Sequence, residues 1–132
     1  SIARPRDLAR ALAHPELRCY AVKAAKFGGV QPTLDFLSMA EERGIDVWMG
    51  GMYDTGVSKR LHAALGTLPH VKAPGDIGST ARYFAQDITD PPHTADRGFV
   101  TLNRAGHEHG LGCDLNRAVL ARVLVDRIVI ER

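Results

Sequence analysis

Twice in this chain a short apolar run ends in a lysine or a glycine pair and gives way to a helical pattern, and this repeat restricts the fold more than any other feature. Cys19-Tyr20-Ala21-Val22 leads into Lys23-Ala-Ala-Lys26-Phe-Gly28-Gly29, and Ile45-Asp46-Val47-Trp48-Met49 leads into Gly50-Gly51-Met52-Tyr53-Asp54-Thr55-Gly56. Runs of this length bounded by glycine read as buried strands. A helix between two strands brings the chain back to its starting edge, so the strands pair in parallel through right-handed crossovers. Both candidate sites then lie at carboxyl ends of strands, the face on which parallel α/β proteins bind ligands.

The rest of the pattern extends this unit. Pro5 and Asp7 suit the first turn of a helix whose face carries Leu8, Ala11 and Leu12, and His14-Pro15 stops it. Residues 19–23 read as a strand. A helix opens at Gln31-Pro32-Thr33, is lined by Leu34, Leu37 and Ala40, and ends at Gly44; Val57, Leu61, Ala64, Leu65 and Leu68 line another. His70-Val71-Lys72-Ala73 reads as a third strand, stopped by Pro74-Gly75. Beyond Asp76 the rhythm is lost: residues 96–102 suggest a hairpin, Asp114 to Arg122 a capped helix, and Leu124 to Ile130 a closing strand.

A chain of 132 residues with 45% hydrophobic and 24% charged residues has the composition of one globular domain, and no apolar run approaches the ~20 residues of a membrane span. Its net charge of +2 comes from 17 basic and 15 acidic residues without a basic run, which argues against nucleic acid as a partner. Cys19 and Cys113 show no CxxC spacing and read as free thiols of a reducing cytoplasm. Residues 1–7 contain neither the apolar core of a secretory signal nor an initiator Met, as expected of a segment of a longer chain.

Lys23 at a strand exit is placed to act as a base, although strand-end lysines commonly extend to solvent. The pairs Gly28-Gly29 and Gly50-Gly51 read equally as turn glycines with positive φ. His107-Glu108-His109 offers metal-ligand chemistry without further ligands at a typical spacing, so it reads as a solvated loop. Asp54, Asp76 and Asp87 are loop carboxylates suited to capping and turn formation.

Taken in order, Val22-Lys23-x-x-Lys26-x-Gly28-Gly29, then Val47-Trp48-Met49-Gly50-Gly51-Met52-x-Asp54-Thr55-Gly56, Leu68-Pro69, Pro74-Gly75-Asp76-Ile77, Arg82-Tyr83-Phe84-x-x-Asp87-Ile88-Thr89 and Gly110-Leu111-Gly112 resemble the C-terminal part of the enolase superfamily. Within it they are most similar to the muconate-lactonizing subgroup and its o-succinylbenzoate synthase and N-acylamino acid racemase branch. The resemblance implies an α/β fold: the C-terminal portion of a (β/α)7β TIM-like barrel, strands six to eight with their helices, over residues 1–76. Residues 77–132 would be a tail of the same domain that returns to a capping domain.

The resemblance further implies that Lys23 is the catalytic lysine at the end of strand six, and that Gly50, Gly51, Met52, Tyr53 and Asp54 line the substrate pocket. Asp54 stands where relatives usually have Glu. The implied cofactor is Mg2+, bound by ligands upstream of this chain, so the chain contributes no metal ligand. The implied activity is metal-assisted dehydration of a small carboxylate through an enolate in menaquinone biosynthesis, with racemisation of N-acylamino acids as the alternative and a self-associating, non-catalytic fragment as the alternative of another class. The chain alone is expected to be inactive, and to associate with itself or with the missing N-terminal part of the barrel. Its open inner sheet face is expected to hold Ala21, Val47 and Met49.

Overall fold

The computed structural model describes residues 7, 10, 11, 13–102 and 109–129. Strand β1 (Cys19–Val22) runs into a single helical turn, α1 (Ala24–Phe27), and then helix α2 (Val30–Glu42). Strand β2 (Asp46–Met49) follows and leads through an extended loop to helix α3 (Gly56–Leu65). β1 and β2 pair in parallel, Tyr20 beside Val47 and Val22 beside Met49. The sheet continues past β2 only as the isolated parallel bridges Val47 to Val71 and Gly50 to Asp76.

The third strand expected at residues 70–73 is therefore reduced to single pairings. The Val71 N–H is taken by Leu68 in a turn, at 2.9 Å, and Pro74 has no N–H to give. Only Asp76 restores a ladder bond, donating to the Met49 carbonyl at 3.0 Å. Of the expected first helix, residues 7, 10 and 11 are helical and the others lie outside the described residues.

The core forms between the sheet and its helices. Val22, Val47 and Met49 are fully buried and cluster with Phe36, Leu37 and Ala40 of α2 and Leu65 of α3. Phe27 and Phe36 add a tilted ring contact at 4.7 Å. Because side chains alternate along a strand, this parity assigns Cys19, Ala21 and Lys23 to the opposite face, with Trp48 and Gly50 beside them. The expectation that Val47 and Met49 share the open face with Ala21 is thus corrected. Cys19 and Ala21 are exposed and Trp48 is half-buried. Both cysteines are unpaired, Cys19 exposed and Cys113 half-buried.

Beyond Asp76 the chain folds back onto α3. A 3-10 turn (Thr80–Arg82) precedes strand β3 (Thr89–Asp90), which pairs antiparallel with β4 (Asp114–Leu115), and helix α4 (Arg117–Val123) closes the described structure. The helix expected from Asp114 begins instead at Arg117. Its cap is Asn116, whose side chain accepts from the Val119 N–H at 3.1 Å, while Asp114 is held in the short ladder. The hairpin expected at 96–102 is a tight turn with one bridge, Asp96 to Phe99, over Arg97 and Gly98 at positive φ. Residues 124–129 form no strand, and Val125 and Ile128 are 98% and 84% exposed, so the expected closing strand is absent over these residues.

Two buried charges fasten this segment to α3. Arg60, 3% exposed, donates to the carbonyls of Gly112 at 3.0 Å and Pro91 at 3.1 Å. The Asp87 carboxylate accepts from the Gly56 N–H at 2.9 Å, the Thr80 hydroxyl at 2.9 Å, the Thr89 hydroxyl at 3.0 Å and the His93 N–H at 3.1 Å. Gly56 is required here, since a Cβ would lie 2.1 Å from the Thr89 hydroxyl. Replacing Arg60 with Ala removes charged donors from carbonyls that stay buried, and is expected to cost about 2–4 kcal/mol in chemical denaturation, because each such bond contributes roughly 1.5–3 kcal/mol. No described helix is long and apolar enough to cross a membrane.

Candidate functional site

Lys23 occupies the exit of β1 and caps α1 in an extended conformation, with φ −132° and ψ 107°. The chain can turn immediately afterwards because Gly28 (φ 88°) and Gly29 (φ 127°) accept left-handed backbone angles that side chains oppose. Gly50 and Gly51 serve another purpose. A Cβ at Gly50 would meet the Lys23 Cε at 2.9 Å, and one at Gly51 would meet the Asp76 carbonyl oxygen at 2.2 Å. Here glycine admits close approach, so the Lys23 stem lies flat over the end of β2.

The result is a cavity of about 270 Å3 at the carboxyl ends of β1 and β2, lined by Lys23, Gly51, Met52, Tyr53, Lys59, Asp76 and Tyr83. Of the residues predicted from sequence, Lys23, Gly51, Met52 and Tyr53 meet in this wall and Gly50 lies under the Lys23 stem. Asp54 is not in the wall. Its carboxylate turns back to accept the Met52 N–H at 2.8 Å and bends the loop that presents Met52 and Tyr53. Tyr53, 80% exposed, packs edge-on against Tyr83 at 4.9 Å.

Lys59 has no place in the sequence reading, yet it is 1% exposed and lines the same cavity as Lys23. Its ammonium lies 5.2 Å from the centre of the Tyr83 ring and 3.5 Å from the Met52 carbonyl. Burial pushes its pKa down, and Asp54 and Asp76 oppose that shift. A signal existed in the sequence: Lys59 falls three residues after Gly56 and four before Ala63, on the buried stripe of α3. With two lysines and one acidic residue, Asp76, in its lining, the cavity is suited to a carboxylate ligand.

His62, fully buried on α3, joins the two strand exits. Its Nε2 accepts the Ala24 N–H at 3.2 Å, one residue after Lys23, and its Nδ1 faces the Asp54 carboxylate at 3.9 Å. Burial holds the imidazole below its ordinary pKa, with Asp54 acting in the opposite direction and Lys59 and Lys23 adding to the depression.

Among the described residues no three His, Cys, Asp or Glu side chains converge to hold a metal ion. A hard divalent cation takes several oxygen ligands in near-octahedral array, which this wall does not provide. His107 and Glu108 lie outside the described residues, and His109 is in a turn.

Residues 1–119 match the family described as Enolase C-terminal domain-like. The chain is 32% identical over 122 residues to the o-succinylbenzoate synthase of Bacillus subtilis (strain 168), covering 92% of this chain and 32% of that protein. It is 35% identical over 106 residues to the N-succinylamino acid racemase of Thermus thermophilus, covering 80% of this chain and 28% of that one. A solved enolase-superfamily member from Listeria innocua superposes with a TM-score of 0.80 at 29% identity, over 92% of this chain and 32% of that chain. The muconate lactonizing enzyme from Pseudomonas putida superposes with a TM-score of 0.78 at 25% identity, over 92% and 33%. The chain thus spans about a third of the length of the relatives it matches.

Proposed function

The chain belongs to the enolase C-terminal domain-like family, with the fold of the C-terminal part of an enolase-superfamily barrel, and from that premise we propose that it supplies one wall of an active site that removes the proton α to a carboxylate. The carrying observation is the contact between the Lys23 stem and Gly50, which joins the lysine at the end of β1 to the Gly51-Met52-Tyr53 wall at the end of β2. Lys23 holds or accepts the α-proton and stabilises the enolate charge that develops in the transition state; Lys59 adds a second cation to the cavity that receives the substrate. Gly50, Gly51, Met52 and Tyr53 shape the pocket, and Asp54 fixes the loop. A magnesium ion would be held by residues outside this wall.

The substrate is the cyclohexadiene carboxylate of an o-succinylbenzoate synthase-type dehydration in menaquinone biosynthesis, in the cytoplasm; identity to proteins of that name over most of this chain supports the reading. Racemisation of an N-succinylamino acid is the second reading, supported by the racemases at 35% and 32% identity. Assay of the full-length protein with both substrates is the test. Turnover of either supports the site, the faster one identifies the reaction, and turnover of neither refutes the proposal.

The face carrying Cys19, Ala21 and Trp48 and the outer edge of β1 are the surfaces that further barrel strands would cover. Leaving such a face in water forgoes about 25 cal/mol per Å² of apolar area. The 132-residue chain on its own is therefore expected to associate through this face, giving a sedimentation mass that rises with concentration, and to turn over neither substrate. A compact monomer at all concentrations would contradict the assignment of this face to an interface.

A further inference from the structure

His62 has one ring nitrogen satisfied and one buried without a hydrogen-bond partner among the described residues. Because Nε2 accepts the Ala24 N–H, the proton of the neutral ring sits on Nδ1, and a neutral imidazole has one donor and one acceptor. The Asp54 carboxylate lies 3.9 Å from that Nδ1, too long for a hydrogen bond and short enough that a small shift of Asp54 would make one. A buried donor without an acceptor is costly, and contacts at catalytic sites are often loose until substrate binds.

We infer that His62 is a positioning residue: its Nδ1–H closes onto Asp54 in the working site, tying the peptide after Lys23 to the Met52–Asp54 loop so that both walls of the cavity adopt one geometry. This rests on the proposed function of the same site. The link runs from Ala24, next to Lys23, through one rigid ring to the carboxylate that holds the Met52 N–H at 2.8 Å. The Asp54 carboxylate reaches back into its own loop and does not line the cavity, so it is placed to hold the loop and not the substrate.

The test uses the full-length protein with 15N-labelled histidine, and the variants His62→Gln, Asp54→Ala and the double variant. NMR is expected to find His62 protonated on Nδ1, with an Nδ1 shift that moves when substrate is added and no longer does so in Asp54→Ala, which removes the acceptor oxygen. In kinetics His62→Gln is expected to lower kcat about 10-fold with KM nearly unchanged, a range typical of misplaced catalytic groups. In the Asp54→Ala background it should cost nothing further. Protonation on Nε2, or an Nδ1 shift indifferent to Asp54, overturns the inference even if His62→Gln fails to fold. Additive kinetic losses do the same. A wild-type protein inactive toward both substrates refutes the proposed reaction, and the ring protonation, with the Nδ1 shift on binding of either carboxylate and its loss in Asp54→Ala, still decides the role of His62.

Discussion

Replacing Lys23 with Ala in the full-length protein is expected to lower kcat/KM by at least about 10³-fold while leaving the circular dichroism spectrum and melting temperature nearly unchanged. General acid–base participation contributes roughly 10²–10⁴, and electrostatic stabilisation of a developing oxyanion a comparable factor, so a lysine that supplies either is indispensable to the rate. The fold should not depend on it. Lys23 follows β1, lies on the face away from the Val22, Val47 and Met49 core, and is half-buried. Steady-state kinetics on the folded variant check the expectation, and a rate within tenfold of wild type would remove Lys23 from the chemistry.

A large effect on stability is expected at Asp87. Asp87→Asn should destabilise the protein by about 3 kcal/mol at neutral pH, because hydrogen bonds to a charged group contribute roughly 1.5–3 kcal/mol each and an amide cannot satisfy all four donors. The sign of the pH effect follows from the carboxyl group. Burial would raise its pKa, but the N–H groups of Gly56 and His93 and the hydroxyls of Thr80 and Thr89 outweigh that and hold it below the usual carboxylate range. Its stabilisation is therefore complete above about pH 4, the unfolded value, and is lost as the pH falls through the lower folded value. Denaturation midpoints measured from neutral to acid pH should fall more steeply for wild type than for Asp87→Asn; parallel profiles would contradict this assignment.

Asp87 and Lys23 also mark the border of what the sequence made legible. Local periodicity survives folding and placed Lys23 and the Gly50-Gly51 turn at strand ends, while the pocket role of Gly50, Gly51, Met52 and Tyr53 came from the family resemblance. Facing could not be read the same way. Ala21, Val47 and Met49 are all apolar, and in a parallel sheet both faces favour apolar residues, so only the pairing of Tyr20 with Val47 reveals which of them share a face.

The buried polar residues on and against α3 were illegible for a different reason. Arg60 binds carbonyls as far along the chain as Gly112, Asp87 binds the helix terminus at Gly56, and His62 binds Ala24. Asp87 reads locally as a capping or turn carboxylate, Arg60 and His62 carry no local mark of a role, and each is buried because a distant segment packs over it. The alternation at residues 124–130 misled in the opposite direction. A strand needs a partner, and among the described residues Leu124 to Val129 have none, leaving Val125 and Ile128 in solvent.

The most direct measurement is proton NMR of the full-length protein in D2O with magnesium and each of two substrates, an N-succinylamino acid and the cyclohexadiene carboxylate of the dehydration. Loss of the resonance of the proton α to the carboxylate, in at least one of the two and dependent on the protein, is the expected result. Persistence of that α-proton in both, with protein folded and magnesium present, would contradict the assignment of the Lys23 cavity to enolate chemistry.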